Sequence, residues 1–274
     1  MPWGARHLDP VLQASPSMPS LSPLAISALA LVAFAAGLFD AIAGGGGLLT
    51  VPALLAAGLP PHLALGTNKG QSVFGSGAAM VNYWRSGLID PARARVGFPF
   101  GLVGSAGGAA LVLAVPASSL KPIVLVLLSA AALFIGFRRG RPEARAAAGL
   151  PPRWQGGTVT AGVIALVIGA YDGFFGPGTG TFLIVAFVAL LGDGLARASA
   201  AAKVVNFASN LAALALFAWR GLVVWQVALP MAAGQLCGGW IGAHLAVRRG
   251  DALVRRVAVL SALALAIKLA LDLR

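Results

Sequence analysis

Long apolar runs alternate along this chain with short polar breaks. The runs occupy residues 21–39, 41–58, 63–84, 96–115, 119–137, 158–172, 179–191, 198–218, 226–247 and 253–271. Most approach 20 residues, which at about 1.5 Å per residue matches a hydrocarbon layer roughly 30 Å thick. The pattern predicts an all-α polytopic membrane protein of about ten helical segments. Two places break it. DAIAGGGGLLTVPALLAAG, from Asp40, puts an acid and four glycines inside an apolar run, and DGFFGPGTGTFLIVAFVALL, from Asp172, does the same later. Behind each break only eleven apolar residues remain, 48–58 and 181–191. That is about 16 Å of helix, too short to cross a bilayer. Each reads as part of a discontinuous helix interrupted within the membrane.

The two breaks belong to a duplication. Asp40 falls on Asp172, Gly44 on Gly176 and Gly46 on Gly178 at a constant spacing; after a two-residue adjustment Lys69 falls on Lys203 and Gly87-Leu88 on Gly221-Leu222. Further on, Pro99 aligns with Pro230 and Gly107-Gly108 with Gly238-Gly239. Shared apolar character does not account for acid, glycine, lysine and proline landmarks arriving in order. The organisation is therefore a tail (1–20), a first membrane repeat (21–137), a basic linker (138–157) and a second repeat (158–274). The run from Leu21 leads into Asp40 and glycine rather than a cleavage site, so it reads as a retained first helix.

Composition agrees: 58% of the 274 residues are hydrophobic and 10% charged, against about 25% charged in soluble domains. A net charge of +12 would suggest nucleic acid in a soluble protein, but here the arginines sit in the breaks between apolar runs and read as topology, with no nucleic-acid partner. Seventeen of the 20 basic residues lie in loops or tails. Ten crossings with both termini outside put thirteen of them on one face and four on the other. The best eight-crossing arrangement splits them 11 to 6. The basic excess on the cytoplasmic side favours ten segments, five per half, and hence inverted repeats. One cysteine, Cys237, rules out a multi-thiolate metal site and reads as a packing residue; scattered histidines offer no metal cluster, and no cofactor motif appears. Trp84, Trp219, Trp225 and Tyr83 fall at span ends, as interfacial anchors do.

Glycine costs a helix interior about 1 kcal/mol relative to alanine, so Gly44, Gly45, Gly46 and Gly47, and Gly176, Gly178 and Gly180 in the second half, need a purpose. A break exposes the free N–H groups of the following helix at its positive dipole end, which suits an anion. Thr50 and Thr179 are expected to add hydroxyl donors. The segments after the breaks carry Asn68 and Lys69, then Lys203 and Asn206. Lysine in a span is costly unless paired or hydrated, which makes both lysines substrate-binding candidates. Snorkelling, or pairing with Asp40 or Asp172, is the alternative for each. Those aspartates read equally as proton or ion couplers and as caps of the break. Glycine spacings such as Gly104–Gly108 and Gly234–Gly238–Gly242 suit close helix packing, within the subunit or in a homodimer.

The stretches DAIAGGGGLLTVPALLAAGLPPHLALGTNK, NYWRSGLID, DGFFGPGTGTF and AAKVVNFASNLAALALFAWRGLV resemble the sulfite exporter TauE/SafE family of membrane transporters, over nearly everything from Leu21 to Leu271. The resemblance implies movement of sulfite or an organosulfonate across the bacterial inner membrane. The second half departs from the first at Ala202, where the first has Asn68, and at Pro177, where it has Gly45. The expectation is a secondary transporter of a small anion working by alternating access. A passive anion channel and a membrane scaffold without transport are the other readings. No catalytic set supports an enzyme.

Overall fold

In the computed structural model the described residues are 21–137 and 157–272. The tail 1–20 and the basic linker over 138–156 lie outside them. Nine helices follow one another among the described residues: α1 (Pro23–Ala43), α2 (Gly47–Ala56), α3 (Pro61–Arg85), α4 (Pro91–Leu113), α5 (Ala117–Phe137), α6 (Gly157–Phe174), α7 (Thr179–Leu191), α8 (Leu195–Trp219) and α9 (Trp225–Asp272). At Gly250 (φ 60°, ψ −155°) α9 is broken into two helices. That brings the helical segments to the ten the hydropathy pattern predicts, all of them α.

Local chemistry sets the boundaries. Ser22 caps α1 by accepting from the Ala25 N–H, ahead of a proline in the first turn. Asp90 caps α4 in the same way, accepting from Ala92 N–H at 2.9 Å, and Pro91 follows it. α1 continues past Asp40 to Ala43, 21 residues or about 31 Å, long enough to cross a membrane by itself. The interruption thus falls after a full-length helix, and only α2, with 10 residues, and α7, with 13, are short.

Two polar-faced helices, α3 and α8, form the centre. Each buries a lysine and several amides or hydroxyls. Around them the outer helices turn leucine and valine outward, among them Leu31, Val103, Leu111, Val126 and Val167, as lipid-facing surfaces require. Trp84, Trp219 and Trp225 are exposed at helix ends, as interfacial anchors should be. Tyr83 is not an anchor. It is fully buried, and its hydroxyl donates to Ala41 O at 2.8 Å. Cys237 is exposed rather than packed inside.

The glycine spacings pack helices within the subunit. A β-carbon on Gly104 would lie 2.2 Å from Leu166 O, and one on Gly108 only 1.9 Å from Ala170 O, so α4 rides directly on the backbone of α6. Gly238 meets Phe34 O (2.0 Å) and Gly242 meets Leu38 O (2.4 Å) in the same way, so α9 rides on α1. The first helix of each half is thus clasped by the fourth helix of the other half. Packing also corrects the register read from sequence. Gly104 is equivalent to Gly238 and Gly108 to Gly242, three residues away from the alignment of Gly107-Gly108 with Gly238-Gly239.

A methyl at Gly108 has no room, whereas one at the adjacent Gly107 meets nothing within 4 Å. Gly108→Ala should cost about 1–3 kcal/mol, in the range of overpacked cores, and lower the thermal midpoint of the purified protein in detergent. Gly107→Ala should leave it unchanged.

Candidate functional site

The two breaks touch. Gly44 (φ 78°) lies so close to α7 that an added β-carbon would sit 2.2 Å from Thr181 N and 2.3 Å from Gly180 C. Gly47 meets Pro177 Cα at 3.0 Å by the same construction. Gly44, Gly45, Gly176 and Gly178 all have positive φ, between 78° and 98°, where a β-carbon is strained. Glycine here lets the chain turn sharply and lets two backbones meet.

At this meeting point two ion pairs cross between the halves. Lys69 Nζ lies 2.7 Å from Asp172 Oδ1, and Lys203 Nζ lies 2.7 Å from Asp40 Oδ2. Both lysines are buried. Of the carboxylates, Asp172 is 4% exposed and Asp40 17%. The lysines therefore do not snorkel; each neutralises the acid at the other half's break. Asp40 Oδ1 also accepts the Gly46 N–H at 3.1 Å, capping the start of α2. Asp172 has Thr179 Oγ1 at 3.1 Å and is bonded by Ser209 Oγ.

A polar cavity of about 30 Å³ lies between the breaks, room for a water or two. Asp40, Gly45 and Gly47 line it from the first break, and Asp172, Gly176, Gly178, Thr179 and Gly180 from the second. Asn68 and Lys69 on α3 and Asn206 on α8 complete most of the wall. Gly44, Gly46 and Lys203 stand just behind it. Thr50, read from sequence as a donor to an anion, has its hydroxyl taken by Asn68 Oδ1 at 2.6 Å. Thr179 Oγ1 lies 2.6 Å from Gly176 O as well as near Asp172.

Sequence reading passed over Gln235 of α9, which also lines the cavity. Its amide oxygen and that of Asn206 are buried without a partner. Buried polar groups are nearly always hydrogen-bonded, so two open amides on one cavity mark a place for a polar guest. A carboxamide turned end for end offers N–H donors instead. The one signal for Gln235 was a lone amide in the apolar, glycine-rich run PMAAGQLCGG.

A larger cleft, about 310 Å³, opens at the arginine-bearing helix ends. Arg93 grips Asp193 there through two hydrogen bonds of 2.7 and 2.8 Å, and Ala201 and Val204 of α8 form part of its floor. Among the described residues no group of three or more histidine, cysteine, aspartate or glutamate side chains could hold a metal ion.

Removing one member of a buried ion pair strands the other, typically at a cost of about 3–5 kcal/mol. Lys203→Met alone should sharply lower the thermal midpoint in detergent, and Asp40→Asn combined with Lys203→Met should recover most of it. The cycle of Lys69→Met with Asp172→Asn should show the larger single loss, because that pair is more deeply buried.

Residues 29–269 match the family described as sulfite exporter TauE/SafE. The chain is 41% identical over 251 residues to the probable membrane transporter protein ORF9 of Sinorhizobium sp, covering 89% of this chain and 92% of that one. It is 38% identical over 254 residues to the probable membrane transporter protein YfcA of Escherichia coli K12, covering 92% of each. A probable membrane transporter protein of Haemophilus influenzae is 37% identical over 241 residues, covering 88% of this chain and 92% of its own. No solved structure gives a significant match. With its apolar helices and these bacterial relatives, the chain belongs to the sulfite exporter TauE/SafE family of membrane transporters, as a multi-pass protein of the bacterial inner membrane.

Proposed function

We propose that this transporter carries a small oxyanion, sulfite or an organosulfonate, through the cavity between the two breaks, by alternating access of two inverted repeats. One observation carries the reading: two lysines and two aspartates cross-pair between the halves around a polar cavity that keeps two buried amides open. A scaffold gains nothing from such an arrangement, since buried ion pairs are weak sources of stability. The family's description as a sulfite exporter supports the substrate class.

The cavity favours a carrier over an open channel. At about 30 Å³ it is too small for a sulfonate, and beside it Gly44 lies directly against Gly180 and Thr181. The anion would enter when the halves part, with the Arg93 cleft as the mouth on the arginine-rich side. The reciprocal clasp of α4 on α6 and α9 on α1 suits rocking, because each half holds one outer helix of the other. Lys69, Asn68, Asn206 and Gln235 are the expected ligands. Lys203 becomes available once Asp40 moves.

Purified protein in liposomes should take up labelled sulfite or ethanesulfonate with saturable kinetics and without unitary currents. Lys69→Met and Lys203→Met should reduce the flux by about tenfold or more, the usual scale for losing a buried charged partner. No flux of any small anion would return the protein to the scaffold reading, and single-channel currents would make it a channel. Reporter domains fused in the 138–157 linker and at the C-terminus should report opposite sides of the membrane. The same side for both would exclude the inverted arrangement.

A further inference from the structure

The anion cradle is already filled by a part of the protein. Asp40 Oδ2 takes the Lys203 ammonium at 2.7 Å, and Oδ1 takes the Gly46 N–H at the start of α2. Gly180, in the first turn of α7, is so near that a β-carbon on it would lie 3.3 Å from the same Oδ1. One carboxylate thus holds the lysine and the helix N-terminus that an incoming oxyanion would seek.

The charges of the site sum to zero, with two ammonium groups against two carboxylates. An added monoanion would leave a buried net negative charge beside Asp40 and Asp172, which a poorly hydrated site does not tolerate. Neutrality returns if one carboxylate accepts a proton. The two are not equal candidates. Asp172 is almost fully buried and is held by Lys69, Thr179 and Ser209. Asp40 is more accessible and, among the described residues, is held by Lys203 and one backbone N–H. The ionisable groups around Asp40 are Lys203 from α8, Lys69 from α3, Asp172 from α6 and Tyr83 from α3. The Tyr83 hydroxyl is committed to Ala41 O. α2, α7 and α9 turn glycines, Thr179 and Gln235 toward the cavity, none of which titrates.

We propose that Asp40 is a tethered anion which the substrate displaces, and which leaves Lys203 only as the neutral acid, so that each monovalent anion crosses together with one proton. This rests on the cradle being the transport site. A proton from the aqueous face adds to the Asp40 carboxylate as the substrate takes over Lys203 and the Gly46 N–H. On the other face the substrate leaves, the proton follows it, and the carboxylate closes back onto Lys203. The loaded and empty sites carry the same charge, so the cycle moves no net charge across the membrane.

Ethanesulfonate tests this, because it stays ionised throughout the working pH range and its own charge cannot follow the gradient. In liposomes clamped at zero voltage, a one-unit pH difference should concentrate labelled ethanesulfonate about tenfold on the alkaline side, since one proton per anion converts a pH unit into a factor of ten. A pH dye in the lumen should report acidification as the anion enters, and an imposed voltage of either sign should change neither result. In Asp40→Asn the accumulation ratio should fall to one. Flux without accumulation under the pH gradient, or accumulation that follows voltage, would overturn the coupling and leave transport standing. Accumulation retained in Asp40→Asn would overturn the residue assignment. Absence of flux for ethanesulfonate, sulfite, sulfate and chloride alike would instead overturn the transport site itself. The wild-type gradient measurement decides the coupling even where the variant does not fold.

Discussion

Burying a charge in a membrane protein forces it to find an opposite one, and for Lys69 and Lys203 the partner is in the other half. Lys69 reaches Asp172 and Lys203 reaches Asp40. In the folded chain neither half neutralises its own buried lysine, which the low-dielectric interior would otherwise penalise. The two halves are thus bound into one unit by exchange, in the way two subunits of a symmetric dimer share an isologous contact. The helix packing repeats the theme, with each half's first helix seated on the glycine face of the other half's fourth.

The glycines serve that exchange more than they serve flexibility. Positive φ at Gly44 and Gly176 turns the backbone where a β-carbon would be strained, and the missing β-carbon at Gly44 lets one break lie on the other. Once the breaks touch, the starts of α2 and α7 meet beside one small cavity, which Gly47, Thr179 and Gly180 help to line. Asp40 is then close enough to serve both as a cap, through the Gly46 N–H, and as counter-ion to Lys203, while Asp172 is the counter-ion to Lys69.

Much of this was legible in the residues themselves. Acid, glycine and lysine landmarks in order point to a duplication because each has a physical task that few other residues perform. The partners were harder to read. Lys69 could pair with either aspartate, and 103 positions separate it from the one it takes. The register of α4 against α9 differs by three residues from the sequence alignment because small apolar side chains are interchangeable in an alignment, although only some of them meet a backbone. Tyr83 sits near a helix end and looked like an interfacial anchor, but its end of α3 packs against α1. Gln235 was hidden because its counterpart in the first half, by packing, is Gly101, which has no side chain to compare.

That last pairing gives the duplication a direction. Gly37 presses on the backbone of Gln235 and Gly169 on that of Gly101, so the two positions are twins in space, yet one brings an amide to the cavity and the other brings none. In the sequence alignment of the halves Asn68 falls on Ala202. A carrier with identical halves would be indifferent to which way round it sits in the bilayer. This one has a front and a back, since from these twin positions only one half brings an amide to the cavity.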